Sequence, residues 1–407
     1  MTSTLAWLDH SESQRKRMLE VVELFKERET IDDLGIGSMR DTFSDLLFPG
    51  TSVLMTRARY FLFVPWVFLR LEEERVSAAK ATRRARELEV QLIYALLDGE
   101  QGFGIIGGES RENVKRLASS AYWGGLGRFN IRLVPATRSQ LLSTIERRHR
   151  RRGRALQDDE GRQLDNPSTA WHPSLPPPPA DLYETANFTL RPAEADYLRD
   201  RLRQAAPGTA LAYLLSQPYA DAEQVWEHPA LVDAPPRVGE TVQHARLFSE
   251  VIQGAPLLYN LLLARASQDL RSDGGQLVDE YEERLDDWAS RLDALGSELA
   301  AWKQPHFWQV VDDAEGRIPD DTVRFVRWWF DLALSSDRRR RLQDPETHEE
   351  IKQREWRMKR GRARLQNRRQ LERWRDGIGT GRLGFRWGTV RTLISDIVTA
   401  DVESVDA

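Results

Sequence analysis

The longest apolar run of the chain covers residues 60–71 and is interrupted only by Pro65 and Arg70. A bilayer-spanning helix needs about 20 residues, so this run has to be buried inside the protein. The segment 53–75 is therefore predicted to form a core helix, which Pro65 kinks or splits because proline removes a helical hydrogen bond. The aromatic side chains expected in this core are Tyr60, Phe61, Phe63, Trp66 and Phe68.

Helical periodicity dominates the rest of the chain. Of its 407 residues 40% are hydrophobic, and 13 are Trp, which is more than a disordered chain carries. Amphipathic patterns of helical spacing recur along the sequence, whereas strand signals are few. The expected fold class is mostly α, a multi-helix protein of two to three domains with one or two small β-hairpins.

One hairpin is predicted in the segment 122–134, which mixes aromatic, β-branched and glycine residues. A short helix is expected just before it, at 111–121. Because a helix followed by a hairpin is typical of a winged-helix unit, the N-terminal region is a candidate for that motif.

Four consecutive prolines at 176–179 mark the clearest domain boundary. Proline has no backbone donor and cannot continue a helix, so 171–182 is predicted to be an exposed linker without regular structure. It separates an N-terminal helical domain (1–170) from a middle helical domain (183–303). A C-terminal helical region (304–407) follows and carries an arginine-rich helix.

Charge is distributed very unevenly. The formal net charge is −4, yet the segment 352–375 has eleven Lys and Arg against Glu355 and Glu372, a net of +9. The segment 138–154 has seven Arg against Glu146, a net of +6. Such asymmetry indicates either a polyanionic partner or pairing of opposite charges within the protein.

The first basic block has a specific helical pattern. At 100° per residue, five of its arginines fall within about 80° of one another on a helix. Ile351, Met358 and Leu365 lie on the opposite side and are expected to anchor the helix to the core. Forked guanidinium groups suit phosphates, and tryptophans beside them stack on unpaired bases. The residues predicted to bind nucleic acid are Arg357, Arg360, Arg364, Arg368, Arg375, Trp356 and Trp374, with Arg147, Arg148, Arg150, Arg151 and Arg152 from the second block.

Two alternatives to nucleic-acid binding rest on the same charges. The segment 279–298 carries eight acids and two arginines, a net of −6, so the basic helix could pack against it. The basic helix could also dock an acidic partner, which would make the protein a scaffold. Surface ion pairs contribute little stability each, and −6 cannot neutralise +9.

Motifs for catalysis are weak or missing. Cysteine is absent, which excludes disulfides, cysteine nucleophiles and thiolate metal sites, and no P-loop motif occurs. The glycines Gly102, Gly104 and Gly107 match a dinucleotide pattern but follow a predicted helix, which favours a plain loop. We therefore expect a non-enzymatic protein without a cofactor.

A metal-dependent nuclease that uses carboxylate ligands is the alternative from another class. Asp344, Glu350 and Lys352 have the spacing of a nuclease signature. That signature requires the Glu and the Lys on one face of a strand, whereas the local pattern is helical.

Several stretches of the sequence resemble an uncharacterised bacterial family of unknown function, almost from end to end. They are LAWLDHSE, GSMRDTFSDLLFPGTSVLMTRARYFLFVPW, SSAYWGGLGRF, IKQREWRMKRGRARLQNRRQLERW and GRLGFRW. The resemblance implies a setting in phage-defence gene islands, beside helicase-type and nuclease-type partners, and supplies no catalytic residues. The expected function is to bind nucleic acid, with DNA favoured, or to dock within a nucleic-acid-processing assembly.

The expected location is the cytoplasm, with no membrane partner. The first residues lack the apolar segment of a secretory signal, and the absence of cysteine fits a reducing compartment.

Overall fold

The computed structural model describes residues 32–99, 104–146, 170–271, 273–314, 316, 318–375 and 379–401. These residues are mostly helical, which confirms the expected fold class at that level. The helices in chain order are α1 (Gly37–Leu47), α2 (Tyr60–Glu73), α3 (Ala78–Gly99), α4 (Ala118–Arg128), α5 (Arg138–Ser143), α6 (Pro192–Ala205), α7 (Ala210–Leu214), α8 (Pro236–Ile252), α9 (Gly254–Ser267), α10 (Gly274–Ala294), α11 (Gly296–Ala301), α12 (Gln304–Asp312), α13 (Asp320–Ala333), α14 (Arg338–Arg341), α15 (Pro345–Lys359), α16 (Arg368–Leu371) and α17 (Trp387–Val398).

The described chain forms two compact units, each built from stretches that are far apart in sequence. The first unit combines the residues up to 43 with 244–383. The second unit combines 44–243 with the residues from 384 onward. The proline-rich segment 171–182 lies inside the second unit, so the compact units do not divide there.

An aromatic cluster forms the centre of the first unit. The ring of Phe43 stacks on those of Phe248 and Phe307, with centroids 5.7 and 5.3 Å apart. Phe307 also contacts Trp302 and Phe330, at 5.2 and 5.5 Å. All five side chains are buried. Because they come from separate elements, the cluster joins the start of the unit to α8, α12 and α13.

The apolar run at 60–71 forms α2, in the core of the second unit. Its five aromatic side chains are each at most 1% exposed, which confirms their predicted burial. Pro65 lies within α2, which continues as one helix from Tyr60 to Glu73 instead of splitting.

The proline-rich segment contains no helix or strand, as predicted, but it is held against the second unit rather than fully exposed. The indole nitrogen of Trp66 donates to the carbonyl oxygen of Pro176 at 2.7 Å. Arg191 donates to the carbonyl oxygen of Pro177 at 3.0 Å. Prolines lack a donor but keep their acceptor, so their carbonyl groups can still fix the segment.

Much of the segment predicted to be a hairpin is helical. α4 covers Ala118–Arg128, and the described residues contain no sheet, only an isolated antiparallel bridge between Arg132 and Trp171. The predicted hairpins and the winged-helix unit are therefore not confirmed. Gly125 serves close packing instead of a turn, because a Cβ atom on it would lie 2.6 Å from the carbonyl oxygen of Gly50.

One helical stretch, Pro236–Leu270, is long and apolar enough to cross a membrane by length and composition. Within its most apolar window 89% of the residues are buried inside the protein, as in a core helix. No other stretch within the described ranges meets the same criteria.

Two ion pairs hold the start of α2 to distant parts of the second unit. Arg59 is 6% exposed and donates to both carboxylate oxygens of Glu194 on α6, at 3.1 Å each. Its remaining terminal nitrogen donates to the carbonyl oxygen of Asn187 at 2.9 Å. Arg57 reaches both oxygens of Asp396 on α17, at 3.0 Å. Complete hydrogen bonding of this kind offsets the cost of removing charges from water.

Replacing Arg59 with Met should lower the free energy of unfolding by about 3 kcal/mol, because Glu194 then loses its buried counter-charge. This is the lower end of the range for breaking a buried pair, since Arg191 still contacts Glu194. Urea unfolding followed by circular dichroism measures the change.

The matched control is Arg70→Met on the same helix. Arg70 pairs with Glu73 and Glu74 in solvent-accessible geometry, so its loss should cost less than about 1 kcal/mol. If Arg59→Met and Arg70→Met lower the free energy of unfolding by the same amount, the importance assigned to burial is contradicted.

Glu89 on α3 is a buried carboxyl group, 4% exposed. Its two oxygens accept the backbone N–H of Ser119 at 2.9 Å and the Ser119 hydroxyl at 2.7 Å. Burial raises the pKa of Glu89, and the hydrogen bonds from Ser119 only partly oppose this shift. The folded protein therefore favours the protonated carboxyl group more than the unfolded chain does.

The stability that Glu89 contributes should be complete below about pH 4, near the pKa of an unperturbed glutamate, and be lost as the pH rises through the raised folded pKa. Glu89→Gln has no such proton to lose. The melting temperature of this variant relative to wild type should therefore increase as the pH rises above about 4.3, the pKa of an unperturbed glutamate. A relative melting temperature that does not change with pH would contradict the raised pKa.

Candidate nucleic-acid interface

The arginine-rich segment is not one continuous helix. α15 ends at Lys359, and Arg360 has a φ of +51°, a left-handed backbone conformation that ends the helix. A short 3-10 turn (Arg360–Arg362), a loop and the short helix α16 follow. The predicted arrangement on one helical face is therefore wrong for Arg357, Arg360, Arg364, Arg368 and Arg375.

The carboxylate of Glu355 accounts for the change of direction after α15. Glu355 is fully buried, and its two oxygens accept the backbone N–H groups of Arg364 at 2.8 Å and Leu365 at 3.0 Å. The hydroxyl of Tyr259 donates to the same carboxylate at 2.5 Å. The chain beyond α15 is thus fixed against the helix from which it emerges.

Asp33, which is partly buried, is the second anion of this cluster. It pairs with Lys359 and with Arg364, whose guanidinium nitrogen lies 2.5 Å from the Asp33 carboxylate. Burial lowers the pKa of Lys359, and the neighbouring Asp33 acts in the opposite direction. The charge of Arg364 is therefore used inside the first unit and is not available to a phosphate, contrary to the prediction.

Arg354 fixes the rotation of α15 about its axis. Its side chain is fully buried, and a Cβ atom on Gly35, which has a φ of +68°, would lie 2.6 Å from its guanidinium group. Only glycine allows this close approach without strain. The groups that accept hydrogen bonds from Arg354 are Leu34 O at 2.7 Å, Gly35 O at 3.2 Å, Thr322 Oγ1 at 2.9 Å and the Asp321 carboxylate at 2.5 Å.

Seven arginines between 357 and 375 are exposed, and we call them the exposed arginine set. Two belong to solvent-accessible ion pairs, Arg357 with Glu350 at 2.5 Å and Arg368 with Glu372 at 3.4 Å. The others form no ion pair with any residue that the structure describes. The full set is Arg357, Arg360, Arg362, Arg368, Arg369, Arg373 and Arg375.

The two tryptophans of this segment differ in accessibility. Trp374 is only 3% exposed, with the guanidinium group of Arg271 at 5.6 Å from its ring, so it is out of reach of a nucleobase. Trp356 is 38% exposed, and the guanidinium group of Arg360 lies 4.5 Å from its ring centroid. Only Trp356 is accessible enough to stack on a base, which was predicted for both tryptophans.

The predicted core anchors are partly confirmed. Ile351 is fully buried, and Leu365 is partly buried. Met358 is 43% exposed, so its prediction as a core residue is wrong. Met358 is near the end of α15, where its thioether lies beside Gly35 instead of entering the core.

The acidic segment 279–298 pairs with other arginines than those of 352–375. In α10, Asp293 contacts Arg338 and Arg339, and Asp286 contacts Arg339 at 2.9 Å. No ion pair joins 279–298 to 352–375 among the residues whose placement is known. The anticipated packing of the basic helix on the acidic one is not found there.

Six of the seven arginines of the second basic block lie outside the described residues. They include Arg147, Arg148, Arg150, Arg151 and Arg152. Arg138, at the start of the block, donates to the hydroxyl groups of Ser119 and Ser120, at 2.8 Å each.

The residues of the nuclease-like spacing do not come together. Asp344 precedes α15, Glu350 pairs with Arg357, and Lys352 pairs with Glu349. Over the ranges that the structure covers, no group of three or more His, Asp or Glu side chains is arranged to hold a metal ion.

The glycine-rich loop after α3 has the plain turn structure that was expected. Gly104 and Gly107 have φ values of +112° and +85° and lie in turns, while Gly102 is outside the described residues. A dinucleotide-binding turn requires a strand before the glycines, whereas here the preceding element is the helix α3.

Sequence reasoning missed the groups that fix this segment, above all Asp33 and Glu355, and omitted the exposed residues Arg362, Arg369 and Arg373. The sequence carries no signal that separates Glu355, which is buried, from Glu372, which is exposed in the same basic run.

Sequence similarity extends over nearly the whole chain. Residues 2–401 match the model of one family, described as a family of unknown function (DUF6361). No curated protein matches the chain, and no solved structure matches it. The family match therefore brings no catalytic or binding residue, and any argument about function rests on the residues of this chain.

Glu355→Ala should release the segment that follows α15, because the N–H groups of Arg364 and Leu365 lose their acceptor. Amide exchange in a peptide covering 360–371 should become at least about tenfold faster, while exchange in α13 stays unchanged. Hydrogen exchange measured by mass spectrometry tests this. The matched control is Glu349→Ala, which removes an exposed carboxylate from the same helix. If the amides of 360–371 exchange at the wild-type rate in the Glu355→Ala variant, the role given to Glu355 is contradicted.

Proposed function

The chain belongs to the DUF6361 family, and we propose that it is a non-catalytic nucleic-acid-binding or docking component of a bacterial nucleic-acid-processing assembly. The observation that carries the proposal is the exposed arginine set, seven solvent-accessible guanidinium groups within 19 consecutive residues. An anti-phage role and partners of the helicase or nuclease type are further parts of the proposal, and they rest on the sequence resemblance alone. A cytoplasmic location is also part of the proposal, and it rests on the absence of cysteine, which fits a reducing compartment.

Arginine is suited to this role by its geometry. Its planar guanidinium group presents forked donors that match the oxygens of a phosphate, and it keeps its charge at any physiological pH. Each phosphate that a protein neutralises releases condensed counterions, which is the main source of non-specific affinity for nucleic acids. A repetitive set of arginines without Asn or Gln among them favours contact with the backbone over the reading of bases.

The pairing of charges within the protein also supports binding by this segment. The cluster around Asp33 and Glu355 neutralises Lys359 and Arg364, but it leaves the exposed set largely without counter-charges. Arg362, Arg369, Arg373 and Arg375 therefore combine full charge with access to solvent, on a chain whose net charge is −4. Local accumulation of positive charge attracts polyanions even when the whole protein is acidic.

Replacing Arg362, Arg369 and Arg373 together with Glu should weaken binding to nucleic acid without unfolding the protein, because these side chains are exposed. Each lost phosphate contact contributes about 0.9 to the slope of log affinity against log salt on duplex DNA, so the slope should become shallower by about 2.7. Near 0.1 M salt the loss of affinity should be at least roughly 500-fold. Fluorescence anisotropy with labelled double- and single-stranded DNA and RNA over a salt series measures both quantities.

The matched control replaces Lys80, Arg83 and Lys115 with Glu, three exposed basic residues of the second unit. It changes the net charge by the same amount and should leave the salt slope unchanged. If the wild-type protein shows no salt-dependent binding at low ionic strength, the nucleic-acid-binding part of the proposal is wrong. The exposed arginine set would then be a docking surface for an acidic protein.

A further inference from the structure

Trp356 has an unusual position among the tryptophans of this protein. It is the most exposed tryptophan within the described residues, with 38% of its surface accessible. It lies on α15 one turn after Lys352 and one turn before Arg360. Its exposed ring lies in the arginine-rich segment, with a basic residue one turn away on either side, so a ligand attracted by the positive charge would meet the ring as well.

The guanidinium group of Arg360 covers one part of the Trp356 ring, at 4.5 Å from its centroid. This contact pre-organises both groups, since a cation over an indole face is attracted by the π-electrons. The pair offers a flat guanidinium plane and an indole edge and face at one place. Both planes stack on nucleobases, and they do so with little regard to base identity.

A nucleobase can reach such a surface only when it is not already stacked and paired in a duplex. Inside double-stranded DNA the faces of each base are covered by its neighbours, so only groove edges and phosphates are accessible. In a single strand the bases can be unstacked at small cost. An aromatic side chain within a basic segment is accordingly the typical arrangement of proteins that bind single strands.

We infer that Trp356, with Arg360 stacked on it, is a stacking site for an unpaired base and that the arginine-rich segment therefore prefers single-stranded to double-stranded nucleic acid. This inference rests on the proposed function. The exposed arginine set supplies the contacts to phosphates in either case, and Trp356 supplies the discrimination between strands.

The test compares Trp356→Leu with wild type, using a labelled single-stranded oligonucleotide of about 20 nucleotides and the duplex of the same sequence. Leu keeps an apolar side chain but has no π-face. Affinity for the single strand should fall by about 5- to 150-fold, the range reported for loss of one base–aromatic stack, and the salt slope should not change. Affinity for the duplex should change less than about twofold. Trp356→Phe should recover part of the lost affinity for the single strand.

The matched control is Tyr219→Leu, which removes another exposed aromatic side chain, from the second unit. It should alter neither affinity. Three outcomes would each overturn the inference. Trp356→Leu could lose equal affinity for the single strand and the duplex, it could lose affinity for neither, or the wild-type protein could prefer the duplex. In those three cases the proposed function still stands if the Arg362, Arg369 and Arg373 variant loses binding. Absence of any binding by the wild-type protein would overturn both.

Discussion

The fully buried guanidinium group of Arg354 is the constraint on which the candidate interface depends. A buried charge is costly unless its donors are satisfied, and Arg354 meets this condition with acceptors at 34, 35, 321 and 322. This arrangement permits only one rotation of α15. Because residues two apart on a helix diverge by about 200°, turning Arg354 inward turns Trp356 outward. The exposed position of Trp356 is thus a consequence of the packing in the first unit.

A second constraint acts where α15 ends. The carboxylates of Glu355 and Asp33 hold Lys359, Arg364 and the backbone after the helix, so that part of a basic block is neutralised and the remainder is left in solvent. Satisfied networks of this kind are rigid, because each lost contact leaves a buried charge or donor without a partner. A rigid base lowers the entropy that the exposed side chains lose when they bind a ligand.

The sequence predicted the helical class and the burial of 60–71, because both follow from local periodicity and from apolar content. It could not predict the shape of the arginine-rich segment. The helical projection assumed that the helix continues, but Glu355 ends it through contacts with residues 364 and 365. Charge counts likewise do not distinguish Arg354 and Arg364, which are used internally, from Arg362 and Arg373. Gly125 misled for a similar reason, since its role is a close approach to the distant residue Gly50.

The ion pair between Arg57 and Asp396 joins residues separated by 339 positions, and that between Asp33 and Arg364 joins residues separated by 331. A ribosome adds about 5–20 residues each second, so Arg57 waits roughly 17–68 s for its partner to be made. Neither unit can complete its core during most of translation. Long-range closure of this kind slows folding and keeps apolar surface, including α2, exposed in the nascent chain. The order of synthesis therefore leaves each unit open until its last segment, 244–383 for the first and the residues from 384 onward for the second, has been made.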